Sequence, residues 1–166
     1  MREILFRGKR MDNGEWVEGS LHIERGETDK NGNSSLDYRI LGMRGECDYV
    51  DPATVGQFTG LPDKNGKRIF EGDVVRQTFE KTNVIVSSDW GGDEYGEVYG
   101  EDTGVVVIIP SKGACIKNPV IHREVNGEIT QHNERAKMYK NICSGRCEVI
   151  GTIHDNPELL EVTPDE

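Results

Sequence analysis

Asn-Gly dipeptides occur four times in this chain and constrain its fold more than any other sequence feature. Both residues tolerate a positive φ angle, so the pair suits the tight turn of a β-hairpin, whose twist matches that of the flanking strands. Four such turns spread over 166 residues predict a chain built largely from antiparallel hairpins. The pairs are Asn13-Gly14, Asn31-Gly32, Asn65-Gly66 and Asn126-Gly127.

The segments beside these turns have the patterns of β-strands. In residues 15–23, EWVEGSLHI, apolar and polar side chains alternate, and residues 147–154, CEVIGTIH, repeat the alternation. Because a period of two places successive side chains on opposite faces of a sheet, both segments are predicted to be half-buried strands. Residues 104–110, GVVVIIP, form a β-branched run that predicts a strand covered on both faces.

Helical signals are sparse. In residues 154–161, HDNPELLE, Asp155 or Asn156 can cap a helix and Pro157 suits its first position, which predicts one or two helical turns. Residues 133–140 are a second helix candidate because they contain several good helix formers.

The predicted fold class is therefore mostly β, with α+β character only through short helices. Gly72-Asp73 followed by two valines resembles the strand starts of small barrels, which predicts an SH3-like small β-barrel near residues 60–80, closed by a strand at 148–154. We expect four segments: an N-terminal β module with the start of the barrel (1–80), a variable inserted β subdomain of further hairpins (81–145), the closing strand with a short C-terminal helix (146–161), and a tail (162–166).

Charge restricts the partners of this chain. The formal net charge is −10, and the acidic excess falls mainly in the second half, which would repel a nucleic-acid backbone.

The N-terminal residues MREILFRGKRM lack the apolar core of a signal peptide, and no apolar run approaches twenty residues. These features predict a cytoplasmic protein that does not span a membrane.

Residues 60–75, GLPDKNGKRIFEGDVV, raise the question of a phosphate-binding loop. Five residues separate Gly60 from Gly66 and Arg68 follows Lys67, so both the spacing and the metal-binding hydroxyl of a P-loop are missing. A turn fits better, with Pro62 and Asp63 leading into Asn65-Gly66. The same reasoning gives Gly72 and Asp73 a structural role at the start of the next strand.

Basic residues near the N-terminus and in this turn form the second candidate site. If the first strand and the turn lie side by side, they create a basic edge that could contact nucleic acid. An ordinary charged hairpin rim is the preferred interpretation, because acidic residues are interleaved with the basic ones. The candidate contacts are Arg7, Lys9, Arg10, Lys64, Lys67 and Arg68.

Two further motifs suggest metal binding. Cys143 and Cys147 have the spacing of half a zinc site, although buried, reduced thiols explain them as well. Residues 87–104 contain six acids but lack the ligand register of a calcium loop, so they predict a solvated acidic connection or hairpin tip. Neither motif is enough to predict a bound metal, and no other cofactor is expected.

The C-terminal residues 148–161, EVIGTIHDNPELLE, contain His154 directly before Asp155, Asn156 and Pro157. We expect His154 to be structural, with its ring bonding to the following turn, because no partner for a general base is evident in the sequence.

Three ordered blocks together resemble the YopX family of phage and prophage proteins. They are ILFRGKRMDNGEWVEGSL, VDPATVGQFTGLPDKNGKRIFEGDVV and EVIGTIHDNPELLE, and they surround a variable middle from about residue 76 to residue 146. The resemblance implies a mostly β architecture and expression in the bacterial cytoplasm. It supplies no reaction and no catalytic residues.

The expected function is that of a non-enzymatic phage or prophage accessory protein, acting by self-assembly or through an unknown phage or host protein. Short strands with exposed edges invite pairing between copies, which favours a homo-oligomer. The alternatives are a nucleic-acid-binding module that uses the basic edge and, third, a metal-dependent hydrolase.

Overall fold

The computed structural model describes residues 3–28, 30–32, 34–87 and 93–161. Twelve β-strands and three short 3-10 helices account for most of these residues, and the strands form two antiparallel sheets. The mostly β prediction is thus confirmed. Among the described residues, no helix is both long enough and apolar enough to cross a membrane. The chain divides into two compact units, Met1–Leu61 and Pro62–Glu166.

The first unit contains a sheet in which the strands follow the order β4-β3-β2-β1-β5. Leu5, Ile40, Val50 and Phe58 form its buried apolar core. The strands are β1 (Phe6–Lys9), β2 (Trp16–Thr28), β3 (Ser34–Leu41), β4 (Cys47–Tyr49) and β5 (Gly56–Pro62), with a 3-10 helix at Pro52–Thr54.

The second unit has a sheet of order β10-β9-β8-β7-β12, with β11 paired to β9. Phe70, Val74, Val75, Val106 and Ile116 are fully buried in its core. The strands of the second unit are β6 (Arg68–Phe70), which is not one of the strands of this sheet, β7 (Asp73–Ser87), β8 (Asp93–Ile109), β9 (Gly113–Val125), β10 (Glu128–Arg135), β11 (Tyr139–Asn141) and β12 (Cys147–Thr152), and the 3-10 helices are Ser144–Arg146 and Pro157–Leu160.

The Asn-Gly pairs lie between consecutive strands, as predicted. Asn126 and Gly127 join β9 to β10 with φ angles of 51° and 81°, the two positive values that a type I′ turn requires. At Asn65-Gly66 only the glycine has a positive φ, of 84°. The turn at Asn65-Gly66 is instead stabilised by hydrogen bonds to the buried side chain of Asp63.

Two of the local predictions were wrong. The acidic segment was predicted to be a connection or hairpin tip, but residues 93–104 belong to β8 and pair with β7; residues 88–92 lie outside the described part. Residues 133–140 were a helix candidate, but β10 and β11 occupy this region and both pair with β9. Pairing with a long neighbouring strand has overridden local propensity in both cases. The short C-terminal helix is present at Pro157–Leu160.

The predicted barrel is not confirmed. The expected closing strand β12 does pair antiparallel with β7, placing Val149 opposite Val75 and Thr152 opposite Asp73. The pairings of the described strands nevertheless give two antiparallel sheets and no closed barrel. The segment border expected after residue 80 falls inside β7, which continues because β8 pairs along its length. The expected tail, residues 162–166, lies outside the described residues.

Candidate functional site

The turn that follows β5 is held by the buried carboxylate of Asp63. Its Oδ1 accepts hydrogen bonds from the backbone N–H groups of Asn65 at 2.8 Å and Lys67 at 2.9 Å. Its Oδ2 accepts the N–H of Val149, in β12, at 3.1 Å. The Lys64 N–H adds a bond of 2.8 Å to the carbonyl of Cys147. Asp63 thereby joins the turn to a strand that is distant in sequence.

The electrostatics of Asp63 agree with this role. Burial acts to raise the pKa of this carboxyl group, but the three backbone N–H donors outweigh it, so the pKa lies below its usual value. Asp63 is therefore ionised at neutral pH and accepts hydrogen bonds through both oxygens. Asp63 is only 5 % exposed and both of its oxygens are hydrogen-bonded to the backbone, so its role is to stabilise the fold.

Gly72 and Asp73 lie where the chain turns from β6 into β7. Gly72 has a φ of 83°, donates its N–H to the carbonyl of Val106 and accepts the N–H of Ile153, both at 3.0 Å. Oδ2 of the fully buried Asp73 accepts the N–H of Phe70 at 2.7 Å. The positive φ explains why glycine suits this position.

The C-terminal motif is organised by the hydroxyl group of Thr152. Its Oγ1 accepts the N–H groups of His154 at 3.2 Å and Asp155 at 3.0 Å, and it lies 2.9 Å from Oδ2 of Asp155, to which it donates. Asn156 occupies the N-cap of the last 3-10 helix without a side-chain capping bond, and Pro157 begins that helix. His154 thus contributes to the turn through its backbone N–H.

The three candidate basic residues of the first unit, Arg7, Lys9 and Arg10, each lie against an aromatic or acidic side chain. Arg7 is only 7 % exposed, and its guanidinium lies 4.6 Å from the ring centre of Trp16. The Nζ atom of Lys9 is 5.5 Å from the same ring. Arg10 forms ion pairs with Asp12 at 2.7 Å and with Asp48 at 3.4 Å.

In the second unit, Lys64 Nζ lies 2.6 Å from a carboxylate oxygen of Glu148, while the other two basic residues of the turn, Lys67 and Arg68, are exposed. The acidic neighbours of Arg10 and Lys64 offset the positive charge that a phosphate backbone would need.

The two cysteines proposed as zinc ligands have different surroundings. Cys147 is fully buried, and burial raises the pKa of its thiol to about 12, which disfavours the thiolate form that binds zinc. Cys143 is half-buried, and its Sγ accepts a hydrogen bond from Arg146 Nε at 3.4 Å. Within the described part of the chain, no three His, Cys, Asp or Glu side chains are grouped as a metal site.

A polar cluster that the sequence did not predict lies on one face of the second sheet. Nδ1 of His122, in β9, lies 2.8 Å from Nδ1 of His132, in β10. The other ring nitrogen of His122, Nε2, lies 2.8 Å from Oε1 of Glu124. The ring of Tyr99 approaches His122 edge-on, with 6.4 Å between ring centres. The His-x-Glu spacing in β9 was visible in the sequence, but the approach of His132 was not.

The opposite face of this sheet holds a buried ion cluster. Oδ1 of Asp102 accepts hydrogen bonds from Arg123 at 2.5 Å and from Lys140 at 2.8 Å, and the Asp102 side chain is 3 % exposed. Arg123 also lies 4.9 Å from the ring centre of Phe79. Asp102, which was assigned to a solvated acidic loop, is thus a core residue with two cationic partners.

In the first unit, β2 and β3 form a ribbon that continues past their neighbours. Strand β1 pairs with β2 only as far as Gly19, whereas β2 pairs with β3 as far as Thr28. The ribbon exposes two apolar side chains: Ile23 is 51 % exposed and Leu36 is 58 % exposed. We refer to residues 20–28 and 34–38 as the β2–β3 arm.

Comparison with known proteins identifies one family. The family model described as "YopX protein" matches residues 5–161 of the 166-residue chain. No curated protein matches the chain at a significant level.

Proposed function

The chain belongs to the YopX family, and from that premise we propose that it is a non-enzymatic phage or prophage accessory protein that self-associates in the bacterial cytoplasm. The observation that carries the proposal is the β2–β3 arm. An extended strand edge with exposed apolar side chains is a template for pairing with another strand. The proposed occupant of this edge is a second copy of the same chain.

The apolar side chains of the arm lie on one face of the ribbon. Ile23 is paired with Tyr38, and Leu36 lies two residues before Tyr38 on the same strand, so these three side chains point to the same side. Leu21 and the buried Ile40 extend that face into the core of the first unit. An apolar stripe therefore runs from the core into solvent.

The sequence of the arm is self-complementary in one antiparallel register. A two-fold axis through Ile23 would place Ile23 beside its copy and His22 opposite Glu24 of the second copy. The same axis would place Leu21 opposite Arg25 of the second copy, where the arginine stem can cover the leucine. These pairs join apolar groups, an imidazole with a carboxylate, or an apolar side chain with an aliphatic stem, so the register is self-complementary as an isologous interface requires.

The test is sedimentation velocity on the full chain. We expect a species heavier than the 18.6 kDa monomer, and we expect Ile23→Lys and Leu36→Lys to shift it toward the monomer. Ile129→Lys is the matched control, because Ile129 is 61 % exposed but lies on β10, in the other unit. A wild-type chain that stays monomeric at its highest soluble concentration would refute the proposal, as would an equal effect of the control.

Nucleic-acid binding is the rival function. It is less well supported because Arg7 is buried against Trp16 and Lys64 is paired with Glu148. Salt-dependent retention on DNA or RNA that disappears when Lys67 and Arg68 are changed to Glu would favour it over self-association.

A further inference from the structure

We propose that His122 and His132 form a binding site for a divalent transition-metal ion such as Zn²⁺, Ni²⁺ or Cu²⁺. Their Nδ1 atoms face each other at 2.8 Å, across the pair of strands β9 and β10. Imidazole nitrogen is a preferred ligand for these three ions. The site is independent of the β2–β3 arm and of the proposed self-association.

Glu124 supplies the second observation. Its Oε1 lies 2.8 Å from Nε2 of His122, the ring nitrogen turned away from His132. A histidine that binds a metal through one nitrogen commonly donates its other N–H to a carboxylate, which fixes the tautomer and orients the ring. With the proton on Nε2, the lone pair of His122 Nδ1 points toward His132. Glu124 therefore acts as a positioning residue.

The separation of the two rings suits an ion after a small adjustment. Metal–nitrogen bonds of about 2.0–2.1 Å in tetrahedral geometry set two ligand nitrogens about 3.3 Å apart. The present contact would have to widen by about 0.5 Å, which a side-chain rotation can provide. Without a metal, a contact of this length requires a proton on one of the two Nδ1 atoms. Metal binding displaces that proton, which moves to the other nitrogen of the same ring or to solvent.

The fold itself turns His132 toward His122. The register of β10 against β9 shifts between Ile129 and Gln131 and again between Gln131 and Glu134, so His132 lies in the irregular part of the strand. Irregularities of this kind redirect side chains and are frequent next to functional sites. A bound ion would fasten β10, an end strand in the order of this sheet, to its neighbour β9.

Two protein ligands define the expected strength of the site. Structural zinc sites use four protein ligands, and no third His, Cys, Asp or Glu completes this set among the residues described. Water molecules would fill the remaining positions. We therefore expect reversible binding that is weaker than that of a four-ligand site, and we do not expect Mg²⁺, which prefers oxygen ligands, to compete.

The experiment is calorimetric titration of Zn²⁺ and Ni²⁺ into the full chain, carrying no histidine tag. We expect one ion per chain, a loss of affinity of about 10-fold or more for His132→Gln, and a loss of about 10–100-fold for Glu124→Gln. His132 is exposed on an end strand, so this variant should keep the fold. His22→Gln and His154→Gln are matched controls, because they remove the remaining histidines and leave the pair intact.

A second readout separates metal binding from a simple hydrogen bond between imidazoles. Zn²⁺ should slow amide exchange in β10 of the wild-type chain and have no such effect in His132→Gln. Three outcomes would overturn the proposal: no saturable binding by the wild type, equal affinity in His132→Gln, or an equal loss in the His22→Gln control.

Discussion

Asp63→Asn should weaken the second unit far more than its conservative chemistry suggests. The carboxylate accepts one N–H through Oδ2, from Val149, and two through Oδ1, from Asn65 and Lys67. An amide of the same shape has a single acceptor oxygen. In either orientation of the asparagine amide, its NH₂ group faces at least one backbone N–H, so two donors point at each other. Residue 63 is only 5 % exposed, so water cannot easily satisfy them.

The expected loss follows from the bonds that are removed. A hydrogen bond to a charged group is worth about 1.5–3 kcal/mol, and a buried donor without an acceptor adds a desolvation cost. If the two turn bonds are kept and only the bond from Val149 is lost, the free energy of unfolding should fall by about 2–3 kcal/mol. Loss of the two turn bonds would cost more.

The stability lost in Asp63→Asn should depend on pH, in a direction set by the lowered pKa of Asp63. Because the folded state lowers the pKa of Asp63, its contribution to stability is present above the unfolded value of about 4 and is lost as the pH falls through the folded pKa. Asp63→Asn should therefore lose most stability near neutral pH and approach the wild type in acid.

Urea unfolding followed by circular dichroism measures the loss, and amide exchange at Val149 locates it. Glu128→Gln, the same carboxylate-to-amide change at an exposed position of β10, is the control. The reasoning fails if Asp63→Asn unfolds at the same urea concentration as the control. It also fails if the Val149 amide keeps its protection while the free energy falls.

Three further substitutions or modifications test other parts of the structure. Gly19→Ala should destabilise the chain by about 1–3 kcal/mol in urea unfolding, because a Cβ at this position would overlap the carbonyl oxygen of Leu41. Asp102→Asn should cost about 3 kcal/mol in the same assay, since it leaves two largely buried cations without their carboxylate. At pH 8 an alkylating reagent should modify the exposed Cys47 quickly and Cys147 only on unfolding, because burial raises the pKa of Cys147 to about 12.

The sequence predicted those features whose causes are local. Asn126-Gly127 was expected to be a hairpin turn because both residues accept positive φ angles, and both have them. The alternation in residues 147–154 correctly indicated a strand, and Pro157 correctly marked a helix start. In each case the residues that determine the local structure are neighbours in the sequence, so the prediction does not depend on the fold.

The features that were missed depend on partners far away in the chain. Val149 lies 86 residues from Asp63, so nothing near Asp63 reveals the bond. Asp102 looked like part of a solvated acidic loop because its cationic partners are 21 and 38 residues away. His132 approaches His122 only because the register of β10 is irregular, and a regular alternating pattern cannot indicate such a shift.

The most recognisable residues of this chain are therefore a poor guide to its activity. Asp63 in the block at residues 60–75 bonds to Val149 in β12, and Gly72 bonds to Ile153 directly after β12, so substitutions there should remove function by unfolding the second unit. Informative variants lie elsewhere, at Ile23 in the first unit and at His132 in the second. Because the two proposals are independent, Ile23→Lys should weaken association and leave the metal affinity unchanged, and His132→Gln should weaken metal binding and leave association unchanged. Association that requires Zn²⁺ in the wild type, and fails in both variants, would instead place the ion at an interface between copies.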